Sequence, residues 1–167
     1  VTDLRYAVHL EVPAVRDSAV RGRVEARFDW SAGGEDVVLD FRAPSSQVGV
    51  VTVDGDTVTP TLVTDHVVIP AVASGAHTIA VEFTSTDAAL NRNEEFLYAL
   101  FVPDRASTAF PVFEQPDLKA RFTVTLGAHT TGMMSGFGGD EGEVFLPMSG
   151  RHNVLNALGA YAILAGI

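Results

Sequence analysis

Hydrophobic and polar positions alternate along the opening of the chain. Leu4, Tyr6, Val8, Leu10 and Val12 interleave with Arg5, Ala7, His9 and Glu11. This period of two predicts a strand with one apolar and one polar face. Val20 to Trp30 repeats it, with Val20, Val24, Ala26, Phe28 and Trp30 against Arg21, Arg23, Glu25, Arg27 and Asp29. A slip of one residue would bury five charges, so the register is well specified and Phe28 and Trp30 are assigned to the core. Gly33-Gly34 marks a turn, and shorter strands are expected over Asp36–Phe41, Val48–Val53, Thr57–Val63, His66–Ile69 and His77–Thr84. Asp54-Gly55-Asp56 predicts a tight hairpin with positive φ at the glycine. Short strands at this spacing mean an antiparallel sandwich or a curved pair of sheets.

The pattern then loosens. Asp87–Glu95 is polar and reads as a loop, and Phe96–Val102 is nearly all apolar and reads as a strand buried on both faces. Asp104–Ala109 predicts a helical turn capped by Asp104, and Ala120–Leu126 resumes the alternation. From Gly127 to Gly142 glycines, methionines and acidic residues crowd together, the composition of a linker with poor packing. Glu143–Leu146 reads as one more strand and Ser149–Leu164 as a helix, with Val154, Leu158, Tyr161 and Ala162 on one face. The division that follows is a β domain over 1–126, a Gly-rich linker over 127–142, and a strand and helix over 143–167. The fold class is mainly β, with one C-terminal α-helix.

Composition narrows the function. The 167 residues carry 21 Asp+Glu against 11 Lys+Arg, a net charge of −10. Such a balance opposes nucleic-acid binding and adsorption to anionic membranes. The chain has no cysteine, which removes disulfides and thiolate chemistry. The apolar stretch Val154–Ile167 is too short to span a bilayer, and the start lacks a signal-peptide pattern. A soluble, cytoplasmic setting is expected over a secreted one, although the absence of cysteine leaves the compartment open. The start without Met suggests a processed, excised or engineered chain.

Residue types supply no catalytic constellation. His9, His66, His77, His129 and His152 show no zinc-helix spacing, and the first three read as ordinary sheet residues. The glycines of 132–142 lack the Gly-Lys-Ser/Thr of a phosphate loop. Asp140, Glu141 and Glu143 lack EF-hand spacing, and no serine sits in a nucleophile elbow. Glu94 and Glu95 are adjacent and would point to opposite faces of a strand.

Two runs carry more. The first is Asn91-Arg92-Asn93-Glu94-Glu95-Phe96-Leu97-Tyr98-Ala99-Leu100-Phe101-Val102-Pro103-Asp104-Arg105, followed by Ala109-Phe110-Pro111-Val112-Phe113-Glu114-Gln115-Pro116-Asp117-Leu118-Lys119-Ala120-Arg121-Phe122. Together with Leu4-Arg5-Tyr6 and Leu39-Asp40-Phe41, it resembles the N-terminal domain of aminopeptidase N-like zinc peptidases. The resemblance implies a saddle-like antiparallel β domain that packs on a catalytic domain and helps wall the pocket for the substrate's N-terminus. It makes Phe110, Pro111, Phe113, Glu114 and Pro116 a rigid structural corner. It makes Leu100, Phe101, Val102 and Pro103 the substrate-pocket candidates. Many members carry Gln-x-Glu there, its carboxylate helping to hold the substrate's ammonium, and the matching Leu100 and Val102 remove that charge. The family's Gly-x-Met-Glu-Asn motif and zinc helix have no match here. The resemblance therefore implies a cofactor, zinc, in the parent family but none in this chain, and no peptidase activity from this chain alone.

The second run, Leu146-Pro147-Met148-Ser149-Gly150-Arg151-His152-Asn153-Val154-Leu155-Asn156-Ala157, resembles a strand–loop–helix of Mur ligases, especially UDP-N-acetylmuramate–alanine ligase. It implies nucleotide contacts for His152, Asn153 and Asn156, without that family's phosphate loop, carbamylated lysine or magnesium ligands. Three functions follow as expectations: a non-catalytic structural and pocket module in a chimeric or engineered chain, a piece of an active zinc aminopeptidase, or a nucleotide-binding remnant. The partners expected are the parent's catalytic domain or a second copy of the chain. Either that second copy or helix 152–165 would cover the docking face.

Overall fold

The computed structural model describes residues 1–13, 15–92, 97–99, 101, 104–115, 117–129 and 141–146. The predicted helix, its Mur-like motif with His152, Asn153 and Asn156, and most of the Gly-rich run lie outside these residues.

Among the described residues twelve strands follow one another: β1 Thr2–Pro13, β2 Arg21–Trp30, β3 Glu35–Asp40, β4 Val48–Val53, β5 Asp56–Val58, β6 Thr61–Val63, β7 His66–Val72, β8 Gly75–Thr84, β9 Leu90–Arg92, β10 Leu97–Ala99, β11 Ala120–His129 and β12 Glu141–Leu146. They form a seven-stranded sheet in the order β12-β11-β1-β2-β8-β4-β5, a three-stranded sheet β3-β7-β6 and a two-stranded ribbon β9-β10. The architecture is mainly β with open sheets. The expectation of a wholly antiparallel fold is corrected at one ladder, because β1 and β11 pair in parallel from Leu4 opposite Ala120 to Pro13 opposite His129. A parallel pair needs a long crossover, and here the crossover holds the described strands β2 to β10.

The alternation of β1 and β2 sorts their side chains as expected. Leu4, Tyr6, Val8, Leu10, Val24, Ala26 and Phe28 are buried, while their neighbours face outward. They meet Val37 and Leu39 of β3, Val67 and Ile69 of β7, and Ile79, Val81 and Phe83 of β8 in one core. Trp30 reaches it only in part, edge-on to Phe28 at 6.5 Å. The Asp54-Gly55 hairpin has φ of 52° and 95°, the two left-handed positions of a type I′ turn.

Several predicted elements change. Thr57–Val63 is two strands, because Pro60 lacks the N–H a ladder needs. β7 runs through Pro70 to Val72. At this point the register against β3 shifts, and Ala71 adopts a φ of 53° with its N–H donated to Asp36 Oδ1 at 3.0 Å. Within the expected strand Phe96–Val102, Leu97–Ala99 form β10, which among the described residues pairs with β9, and β9 itself lies within the expected Asp87–Glu95 loop. The strand expected to stop at Leu126 continues to His129, and β12 pairs along it from Phe122 opposite Leu146 to Gly127 opposite Glu141. Hydrogen bonding therefore carries the sheet past the position where composition changes.

Candidate functional site

The segment from Phe101 to Glu114 carries the most distinctive local structure. Its first part is a single 3-10 turn, Ala106–Thr108, entered through Arg105, whose N–H donates to the Phe101 carbonyl at 2.8 Å. The side chain of the N-cap residue, Arg105, does not cap this turn. Asp104, expected as the cap, instead binds Arg42 at 2.8 Å. The turn is held from outside: Arg42 N–H donates to the Ser107 carbonyl at 2.8 Å, and the Thr86 hydroxyl donates to the Thr108 carbonyl at 2.6 Å. Arg105 donates a guanidinium N–H to the Ala88 carbonyl.

The Phe-Pro-x-Phe-Glu run then crosses the end of the core. Phe110 packs edge-on to Phe101 at 5.6 Å, and Phe113 packs edge-on to Phe28 at 5.4 Å. Between them Val112 bridges Asp40 of β3, its N–H donating at 3.0 Å and its carbonyl accepting at 2.8 Å. The Phe113 N–H donates to the Tyr6 hydroxyl at 2.9 Å. The Glu114 N–H donates to Asp40 Oδ2 at 2.8 Å, and its carboxylate accepts the Ser107 N–H at 2.8 Å. Asp40 Oδ1 lies 3.1 Å from His66 Nδ1 on β7. One irregular segment is thereby joined to β1, β2, β3, β7 and the 3-10 turn.

The residues singled out in the sequence fall as follows. Phe110, Pro111 and Phe113 are buried and Glu114 is half-buried, its carboxylate turned back on the corner. Phe101 is 1% exposed, its ring against Phe110 and not turned to solvent. Leu100, Val102, Pro103 and Pro116 lie outside the described residues. Tyr6 and Asp40 were missed as members of this corner. Both belong to the runs Leu4-Arg5-Tyr6 and Leu39-Asp40-Phe41 that carry the resemblance, but as strand residues and not as partners of the corner; the available signal for Asp40 was a carboxylate set between the core residues Leu39 and Phe41.

The corner's polar groups bind backbone amides and each other, an arrangement that fixes shape. Burial pushes the Tyr6 phenol far above its ordinary pKa, so it stays a neutral hydroxyl. A resident zinc needs about three protein ligands converging. Among the described residues no group of three His, Cys, Asp or Glu is placed to hold a metal ion. Among them, too, no helix is long and apolar enough to cross a membrane.

Among the described residues three sheets surround one core that the aromatic–proline corner closes at one end, a mainly β domain with open sheets. Comparison with known proteins places it further. No family model matches the chain. It is 31% identical over 137 residues to aminopeptidase N of Streptomyces lividans, covering 74% of this chain. The chain spans only 16% of the length of that protein. Its fold matches leukotriene A4 hydrolase from Saccharomyces cerevisiae with a TM-score of 0.65 at 17% identity, over 89% of this chain and 27% of that one. It matches an M1 zinc metallopeptidase from Deinococcus radiodurans with a TM-score of 0.62 at 18% identity, over 80% of this chain and 35% of that one. The fold is thus one that these metallopeptidase chains carry over about a third of their length, and the sequence similarity to aminopeptidase N supports a peptidase-related domain.

Proposed function

We propose that this chain is the non-catalytic N-terminal β domain of an aminopeptidase N-like zinc metallopeptidase, serving as a structural and substrate-pocket module. The observation that carries this reading is the corner Phe110–Glu114, a Phe-Pro-x-Phe-Glu run whose Val112, Phe113 and Glu114 N–H groups are tied to β1 or β3, while the Phe110 N–H is tied to the Ala106 carbonyl of the 3-10 turn. The similarity to aminopeptidase N over 137 residues supports it from an independent direction. In this reading Phe101 is an anchor in the core, and Leu100, Val102 and Pro103 beside it supply an apolar wall without a carboxylate for the substrate's ammonium. The zinc, its ligands and the removal of N-terminal amino acids belong to a catalytic domain that this domain would pack against. The stretch from residue 143 onward, with its Mur ligase-like run, enters as an appendage of a chimeric chain, joined to the sheet edge through β12.

A graft tests the proposal. The matching stretch of Streptomyces lividans aminopeptidase N is replaced by residues 1–129 of this chain, and zinc content and hydrolysis of leucine p-nitroanilide are measured. The graft is expected to hold about one zinc per molecule and to cleave the substrate, while the 167-residue chain alone does neither. A folded, zinc-loaded graft without activity would overturn the proposal, as would chelator-sensitive hydrolysis by the chain alone.

A further inference from the structure

The outer face of the large sheet holds a second feature, far from the corner in chemistry. At one end of β1, β2, β8 and β4 a cleft of about 440 Å³ opens over Gly22 and Gly49. Strand register places Glu11 opposite Arg21 and Arg23 opposite Glu82. Opposite charges set across a ladder ordinarily pair. Here Arg23 turns along its own strand to Glu25 at 3.1 Å, while Glu11, Arg21 and Glu82 are exposed and make no ion pair or hydrogen bond to a described residue. Their unmatched charges stand around the opening.

Two further observations mark the same place. The β4–β8 register shifts between Val48 and Val51, so that Gly49 and Val50 together oppose Glu82. Such a bulge re-aims side chains and recurs beside binding sites. A Cβ at Gly49 would lie 3.1 Å from the Glu82 Cβ and carbonyl oxygen, so the close approach of the strands there depends on glycine. In addition Gln47, which walls the cleft from the 3-10 turn before β4, has its Oε1 buried with no hydrogen-bond partner. A buried acceptor of that kind calls for a donor.

We propose that this cleft binds a small zwitterion of the α-amino acid class. Its carboxylate meets Arg21, its ammonium meets Glu82, and Gln47 Oε1 accepts an ammonium N–H. Arg21 lies opposite Thr84, two residues from Glu82, so the two are diagonal neighbours roughly 7 Å apart. That gap suits a molecule whose own charges are separated by a single carbon. The charge balance selects against simpler ions. A lone anion would meet Glu11 and Glu82 on a chain of net charge −10, and a lone cation would meet two guanidinium groups. Val48, half-buried in the lining, gives an apolar side chain its seat. The inference stands on this face alone and is independent of the peptidase reading.

The test titrates the full 167-residue chain with L-leucine, with leucinamide, which lacks the carboxylate, and with 4-methylpentanoate, which lacks the ammonium. Amide resonances of Gly22 and Gly49 report binding by NMR. Saturable shifts with L-leucine are expected, with affinity at least about tenfold weaker for each analogue. Arg21→Gln and Glu82→Gln, both at exposed positions, should each weaken leucine binding by a similar factor while leaving the rest of the spectrum in place. The proposal is overturned if leucine gives no saturable shift at these glycines up to its solubility limit, if the three ligands bind equally, or if either variant binds as the unaltered chain does. The two analogues need no substitution, so they decide the question even if a variant fails to fold.

Discussion

The hydroxyl of Tyr6 accepts the backbone N–H of Phe113 at 2.9 Å, a bond between residues 107 apart in the chain. Tyr6 is 3% exposed and its ring stacks on Phe122 at 4.7 Å. Tyr6→Phe keeps the ring and removes only the acceptor, leaving the Phe113 N–H buried without a partner. A loss of about 1–3 kcal/mol of unfolding free energy is expected, measured by urea denaturation at neutral pH. An unchanged midpoint would mean that the corner is not held through β1.

The same phenol gives the fold an alkaline limit. Burial raises its pKa; the Phe113 N–H acts the other way, and the Asp40 and Glu114 carboxylates add to the rise. The folded state therefore holds the phenolic proton more tightly than the unfolded chain does. The stabilisation is fully present below the unfolded value of about 10 and is lost as pH climbs above it. Urea midpoints measured from about pH 9 to pH 11 should fall for the unaltered chain and fall less steeply for Tyr6→Phe. Parallel slopes would remove Tyr6 as the cause.

Gly22 and Phe83 show a different dependence on a single residue. A Cβ placed on Gly22 would lie 2.5 Å from Phe83 Cζ and 2.7 Å from the His9 carbonyl oxygen. The ring could tilt away, but the His9 carbonyl belongs to the β1 backbone and cannot do so cheaply. Gly22→Ala is expected to destabilise the chain by about 1–3 kcal/mol through overpacking, read as a lowered thermal midpoint. The double variant Gly22→Ala/Phe83→Leu should recover only part of the loss, because the backbone contact remains.

These dependences divide into what local pattern could show and what it could not. The faces of β1 and β2 were legible because alternation is a property of neighbouring residues, and Leu4, Tyr6, Val8 and Leu10 are buried as the period requires. The Asp54-Gly55 turn was legible because few residues tolerate its positive φ. The parallel β1–β11 ladder was not, since either strand's pattern satisfies a parallel or an antiparallel neighbour equally well. The break at Pro60 was present in the sequence but was outweighed by the apolar run around it. The corner motif was visible as residues, yet its hold on Asp40 and Tyr6 depends on partners brought together by the fold. Alternation placed Glu11, Arg21 and Arg23 on polar faces of their strands, while the bulge that sets Gly49 and Val50 against Glu82 is a property of the β4–β8 pairing and has no local pattern.

At the far end of the large sheet, Asp54 offers the acid counterpart of Tyr6. Burial would raise its pKa, but the Thr78 N–H at 2.8 Å and His77 Nδ1 at 2.7 Å outweigh it and hold the carboxyl below its ordinary value. A folded pKa below the unfolded one means that the stabilisation is present above about pH 4 and is lost as pH falls through the folded value. His77 is braced on its other side, with Nε2 2.9 Å from the Ala73 carbonyl, so the carboxylate fastens the β4–β5 hairpin to the start of β8. Asp54→Asn tolerates the left-handed φ of 52° and can still accept the Thr78 N–H, so the turn should form. Because the Asp54 side chain is 48% exposed, solvent screens the lost charge, and the expected cost at neutral pH is below about 1 kcal/mol. The diagnostic result is the slope: between about pH 5 and pH 3, urea midpoints should decline less for Asp54→Asn than for the unaltered chain. His77→Gln, which removes the imidazole and keeps the Thr78 bond, should fall between the two. Identical acid slopes in all three proteins would show that the carboxylate does not secure the hairpin.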